Sequence, residues 1–500
     1  MSASSRPLIL LGLDAMDVEL VQHWAREGTL PGFQRLLETA AQGHLDSPVQ
    51  VMQGSIWPSF VTGLNPGRHG LYFMTQLSPG TTELKRMLAS DMQQLPFWAH
   101  HDVAAGPVAV VDVPKLRVVG RPGDTQVVEW GALDHFSQFS TYPESLARSL
   151  GRHPLQQAMK APWGDIGRRR LAKRLQTGVR QKDALNRRLL RQGPQMLLSV
   201  FGEAHAAGHY LWPTGEDDLR PSSDSELCAV YRTLDDVLSG LVDDYAANAN
   251  IILFSGHGML ADTIPSGVLE VLLTRMGETV EPAHTQPDGG LGTGLARLAG
   301  RLPYGVRRLA NESLIPAGMQ RRLVRAKGFA HADLTASRAF VLPSDHQGFI
   351  RINLEGREPG GCVAAKDYAQ LCERIEEQVL RLRNADTGEA VVERVLRPRD
   401  LWPGGECLDA LPDLCVVWKP QPRAAGTFSS AYGPIPVKCR HPERSGNHRL
   451  SGFFFALGPD IDTNTRSVQG NLLDIAPTAM HLLEGCTPAG LDGEILPIVS

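Results

Sequence analysis

Six short, unbroken apolar runs, each followed by a polar or helical stretch, constrain this chain more than any other feature: Leu8–Leu13, Val108–Val113, Met196–Phe201, Ile251–Ser255, Leu414–Trp418 and Phe453–Leu457. A strand with one wet face alternates apolar and polar residues, whereas a continuous run predicts a strand covered on both faces. Between the runs lie stretches of helical spacing, such as Leu227, Val230, Tyr231, Leu234, Val237, Leu238 and Leu241. The alternation predicts buried parallel strands in an α/β fold, a three-layer αβα sandwich around a mostly parallel sheet. Such sheets hold their ligands beyond the carboxyl ends of the strands.

Two regions break the alternation. Residues about 155–192 are basic and helical, with Arg168 to Arg170, Lys173, Arg174, Arg187, Arg188 and Arg191; they read as a solvated helix face or as a surface for an acidic substrate. Residues about 262–335 carry Gly289, Gly290, Gly292 and Gly294 and the basic run Arg321 to Lys327, the pattern of an inserted cap over a site. Both are expected as insertions within a single domain spanning 1–500. With 42% hydrophobic and 21% charged residues and a net charge of −4, the composition is that of an ordinary globular protein and favours neither nucleic acid nor a membrane as main partner. The first apolar run is too short to span a bilayer and lacks a small-residue cleavage site, and the seven cysteines form no CxxC pair; a cytoplasmic protein with reduced thiols is expected.

Metal-competent residues cluster where the strands end. Asp14 follows Leu8–Leu13, His205 and His209 follow Met196–Phe201, His257 follows Ile251–Ser255, and His448 precedes Phe453–Leu457. Imidazoles and a carboxylate suit zinc, and also manganese or iron. Each has a plainer role when read alone: a hydrogen-bonded structural His, or for Asp14 the N-cap of a helix beginning at Asp17. Spaced i, i+4, His205 and His209 share one helix face. A second feature is Gln53-Gly-Ser55-Ile-Trp57-Pro58-Ser59-Phe60-Val61-Thr62-Gly63. A hydroxyl at a helix start, with Pro58 in the first turn, lies where an anion is favoured, so Ser55 reads either as a metal-activated nucleophile or as a simple cap.

The block from Ser55 through Asn65-Pro66-Gly67-Arg68-His69-Gly70 resembles the nucleophile segment of the type I phosphodiesterase/nucleotide pyrophosphatase branch of the alkaline phosphatase superfamily. Leu11-Gly-Leu-Asp14-Ala-Met-Asp17 is similar to the family's first metal motif, Phe254-Ser-Gly-His257-Gly to its metal-binding strand end, and Gly446-Asn-His448 to its last histidine motif. The resemblance implies an alkaline-phosphatase-like fold, two adjacent divalent ions, zinc foremost and manganese an alternative, and a covalent phospho-enzyme on a Thr or Ser. Asp14 and His257 would share one metal site, His209 and His448 the other. It further implies hydrolysis of a small phosphorylated substrate, a phosphodiester or phosphomonoester, through a metal-activated Ser55 or a metal-bound water.

The sequence departs from the family at three places. His205 stands where an Asp is usual, Gly256 replaces the Asp of Asp-His-Gly, and Gln53 occupies the place, ten residues before Gly63, where many relatives carry the nucleophile. Losing two carboxylates removes charge that would hold two dications together. Weaker occupancy at the Asp14/His257 site, or a single dominant ion at His205, His209 and His448, is therefore expected, so one or two ions, with Glu203 a candidate replacement carboxylate. A degenerate relative that binds metal or phosphate without turnover is the alternative. Sulfatase and phosphonate hydrolase rank lower, since the sulfatase Cys/Ser-x-Pro-x-Arg motif lacks its Arg here. Arg351 and Arg357 read as well as structural ion pairs as phosphate contacts.

Overall fold

A computed structural model describes residues 6–500 apart from 48–51, 101–105, 134–136, 157–161, 163, 214–219, 283–328, 330–331, 422–425, 440–443 and 487–488. Its centre is a nine-stranded sheet in the order Val468–Asn471, Ala41–Asp46, Ser451–Leu457, Asn250–Ser255, Leu8–Leu13, Met196–Phe201, Val108–Val111, Thr125–Val128 and Ser140–Tyr142. Within the sheet, only Ser451–Leu457 and Ser140–Tyr142 run against the rest. The expected mostly parallel sheet is what forms.

Alternate residues of the Leu8–Leu13 strand feed two cores. Ile9, Leu11 and Leu13 pack with helices Val18–Arg26, Gly164–Leu190, Glu203–Leu211 and Glu226–Tyr245. Leu8 and Leu10 pack with helices Ile56–Thr62 and Ile475–Glu484 on the other face. All six residues are buried, and each leucine taken from water contributes roughly 1.5–3 kcal/mol. This is the three-layer sandwich that the continuous apolar runs demanded.

Two of the six expected strands differ in direction. Phe453–Leu457 lies in the central sheet but antiparallel to Asn250–Ser255. Leu414–Trp418 belongs instead to a separate antiparallel sheet of four, between Gly348–Ile352 and Val392–Leu396, with Ala339–Leu342 at its edge. The physical reason is plain: continuous hydrophobicity reports that both faces are covered and says nothing about strand direction. The basic segment folds as the 27-residue helix Gly164–Leu190, and its Leu171, Leu175, Val179, Leu185 and Leu189 enter the main core. Most of the second segment, 283–328 and 330–331, lies outside the described residues. Among the described residues no helix is long and apolar enough to cross a membrane.

Candidate metal centre

The chain delivers the metal-competent residues by a strand end, a helix and a ribbon. Asp14 follows directly on the Leu8–Leu13 strand, its N–H donating to the Phe201 carbonyl of the next strand at 3.1 Å. It is not a helix cap: Asp17 takes that role, accepting from Leu20 N at 3.0 Å. Helix Glu203–Leu211 starts two residues after the Met196–Phe201 strand and puts His205 and His209 on one face. His257 follows the Asn250–Ser255 strand, and the chain continues as Gly258–Ala261, which pairs antiparallel with Gly446–Arg449 so that Met259 faces His448. That ribbon carries His448 to His257, with ring centroids 4.9 Å apart.

Gly446 is required by this closure. A Cβ there would lie 2.1 Å from the Gly208 carbonyl oxygen, an impossible contact. With only a hydrogen, the Gly446 carbonyl comes within 2.9 Å of His209 Nδ1.

The histidine atoms of His205, His209 and His448 lie within 4.8 Å of one another, all buried. Hydrogen bonding fixes which nitrogens carry protons. His209 Nδ1 faces a carbonyl and must donate to it, leaving Nε2 bare in the neutral ring. His205 Nδ1 faces Asp14 Oδ2 at 2.8 Å and donates to it. The two Nε2 atoms then face each other at 3.0 Å. Burial first, then Arg444 and His205, hold His209 well below the ordinary imidazole range. Burial likewise lowers His448, aided by His209, His205, His257 and His346, and takes His257 to about 3 against the opposing pull of Asp14. Neutral imidazoles with free lone pairs are the form a divalent ion binds.

Asp14 stands beside this trio. Burial alone would raise its pKa, but the neighbouring His205, with His257 and Trp57 adding, brings it to about 2. Oδ1 accepts from Trp57 Nε1 at 2.9 Å and Oδ2 from His205, the carboxylate–histidine arrangement that fixes a ligand's tautomer. His257 Nε2 is 3.9 Å from Asp14 Oδ1, and its Nδ1 is buried without a hydrogen-bond partner.

The missing carboxylates have structural counterparts. A Cβ on Gly256 would meet Ile56 and Leu472 methyl groups at 3.0 Å, so apolar side chains fill the space an Asp would need. Glu203 does not replace it. Its carboxylate is fully buried beneath the helix, 3.1 Å from His153 Nε2 and 3.7 Å from Lys182 Nζ, which also lies 3.2 Å from Asp112. Ser55 sits at the start of helix Ile56–Thr62, buried, with its hydroxyl donating to Met52 O at 2.7 Å. Arg351 and Arg357 are structural: Arg351 pairs with Glu358, and Arg357 with Glu358 and Asp413, each at 2.7–2.9 Å.

Several neighbours carried no sequence signal. Lys115 donates to Gly54 O at 2.6 Å and helps lower His257. His346, on the loop joining Ala339–Leu342 to Gly348–Ile352, acts on both His257 and His448. Nothing in the sequence ties the second sheet to the first, so such contacts are legible only in three dimensions. Trp57 lay inside a recognised motif, but its indole bond to Asp14 was not foreseeable.

A model of the type I phosphodiesterase/nucleotide pyrophosphatase family matches residues 8–448. A search of curated proteins returns no match. Among solved structures, phosphonoacetate hydrolase from Sinorhizobium meliloti 1021 is similar in its complexes with phosphonoacetate (TM-score 0.52, 15% identity) and phosphonoformate (0.51, 14%), each alignment covering 97% of this chain and 98% of that one. Human ectonucleotide pyrophosphatase/phosphodiesterase 5 aligns over 98% of this chain and 97% of its own, with a TM-score of 0.48 and 12% identity. At these identities the likeness to the hydrolase shows a shared fold.

Proposed function

Because the chain belongs to the type I phosphodiesterase/nucleotide pyrophosphatase family, we propose that it is a phosphoester hydrolase whose centre holds one divalent ion, zinc foremost, on His205, His209 and His448. The observation that carries this reading is the buried trio itself, with the nitrogens of His205, His209 and His448 within 4.8 Å of one another. Asp14 orients His205, and His257 lines the same centre. When bound, a divalent ion would polarise a phosphoryl oxygen and neutralise charge developing at phosphorus. The chain's own residues position the substrate: Lys115 adds positive charge beside the Gly54 backbone, and the buried imidazoles exclude water from around the reacting group. The substrate is a small phosphate mono- or diester.

Metal analysis of the purified chain, paired with assays on bis-p-nitrophenyl and mono-p-nitrophenyl phosphate, tests the reading. We expect about one ion per chain and hydrolysis of at least one ester. Both should be abolished by EDTA, and His209→Ala should lose ion and activity together. Full metal loading with no turnover of either ester would instead establish a binding protein, the outcome that the replaced carboxylates at 205 and 256 favour.

A further inference from the structure

The ribbon that carries His448 has a second face. Successive residues of a strand point to opposite sides, and the pairing of Gly258–Ala261 with Gly446–Arg449 puts His448 and Met259 on one face, Arg449 and Leu260 on the other. Close packing follows the same division. A Cβ on Gly208, in the helix of His205 and His209, would meet the Met259 side chain at 2.6 Å, whereas one on Gly258 would meet Asp17 Oδ2 at 2.5 Å. On the Arg449 side a cavity of about 350 Å³ opens between the first turn of helix Val18–Arg26, the ribbon, and Pro420 and Gln421 just beyond the Leu414–Trp418 strand. None of the five metal-competent residues lines it. Its volume falls within the range of small-molecule sites, about 300–1,000 Å³.

The cavity has an apolar part and a charged part. Leu20, Trp212, Leu260 and Pro420 form the first, and Gln421 N donates to Thr263 Oγ1 at 3.1 Å, which fixes the Pro420 wall beside the ribbon. In the charged part the carboxylate of Asp17 is already used, its oxygens accepting from Leu20 N at 3.0 Å and Met259 N at 3.3 Å. Arg449 still has donors to give. Its Nε lies 3.7 Å from Asp17 Oδ2, beyond hydrogen-bond reach, and its Nη1 pairs with Glu19. A guanidinium carries five N–H donors in a fork shaped for a carboxylate. Glu19 is a loose partner, its side chain 58% exposed, and surface pairs of this kind are worth about 0–1 kcal/mol. Its carboxylate holds the place on Arg449 that a carboxylate from solution can take.

We propose that this cavity is a second ligand site, independent of the hydrolase reading, for a small carboxylic acid with an apolar body. The ligand's carboxylate displaces Glu19 and accepts from Arg449, while Arg220 on the same rim adds positive charge. The body is buried against Leu20, Trp212 and Leu260. An anionic head follows from the charges that remain: Asp17 is committed to backbone donors, and Glu19 turns to solvent once displaced, so the ligand meets a guanidinium.

The test uses the full chain with zinc and 4-fluorophenylacetate, followed by fluorine NMR, with the neutral 4-fluorophenylacetamide as control. We expect the acid to bind with a Kd of roughly 0.1–10 mM and the amide about tenfold more weakly. Glu19→Gln removes the competing carboxylate and should tighten acid binding roughly two- to fivefold. Leu260→Trp fills the apolar part and should weaken it roughly tenfold. His209→Ala, which disables the metal centre, should leave it unchanged. Equal binding of acid and amide, or indifference to both Glu19→Gln and Leu260→Trp, would overturn the site. Loss of binding in His209→Ala would also overturn it, by moving the carboxylate to the metal centre.

Discussion

Asp14 shows how much one residue's role depends on what surrounds it. As a carboxylate at a strand end it reads equally as a ligand or a cap, but in the structure both oxygens accept hydrogen bonds, one from Trp57 and one from His205. Asp14→Asn removes the charge that fixes the His205 tautomer. We expect zinc affinity to fall about 10–100-fold, read by competition with a chromophoric chelator, with little change in the unfolding transition of the metal-free chain. Gly446→Ala acts by sterics instead. Its methyl would enter the space of the Gly208 carbonyl, so we expect a loss of about 3 kcal/mol in urea denaturation together with loss of the zinc site. The five metal-competent residues were legible as candidates because each sits beside a strand end, whereas His346, on a loop of the second sheet, gave no such signal.

At the scale of elements, helix Glu203–Leu211 is held from below by charges. Lys182, from helix Gly164–Leu190, is fully buried, donates to Val200 O at 2.7 Å and pairs with Asp112 and Glu203. Arg168 of the same helix donates to the Leu211 carbonyl at 2.6 Å, closing the other end. A segment read as a solvated basic face thus clamps the helix that carries two of the histidines. Lys182→Met leaves two buried carboxylates without their cation, and we expect a loss of about 3–5 kcal/mol in chemical denaturation with weakened zinc binding. In the second sheet, Asp413 accepts from Arg357 and from Ile352 N. Burial opposes its charge, but Arg357 and Arg351 hold its pKa below the ordinary value. A carboxylate depressed by folding contributes stability that is fully present above its unfolded pKa of about 3.9 and is lost as pH falls through the lower folded value. Denaturation curves should therefore weaken below about pH 4, and Asp413→Asn should remove that part of the pH dependence.

Across the whole molecule, the centre joins the ends of strands Leu8–Leu13, Met196–Phe201 and Asn250–Ser255 to the late Gly446–Arg449 ribbon, so a bound ion would tie residue 205 to residue 448. An ion that binds only the folded chain stabilises it by linkage, about 4 kcal/mol at a thousandfold excess over Kd. We expect zinc to raise the unfolding midpoint and EDTA to lower it, with no response in His209→Ala; a midpoint indifferent to zinc in the native chain would count against the site. The sequence by itself determined the layered α/β fold and the ends of strands at which ligands gather, because burial on both faces and strand-end placement are local, periodic properties. Only the tertiary structure decided that Ser451–Leu457 runs antiparallel, that Leu414–Trp418 leaves the central sheet, that Glu203 turns to Lys182 and that apolar side chains fill the space beside Gly256. Each of those depends on which distant residue arrives as a neighbour, and direction, charge pairing and free volume are set by neighbours.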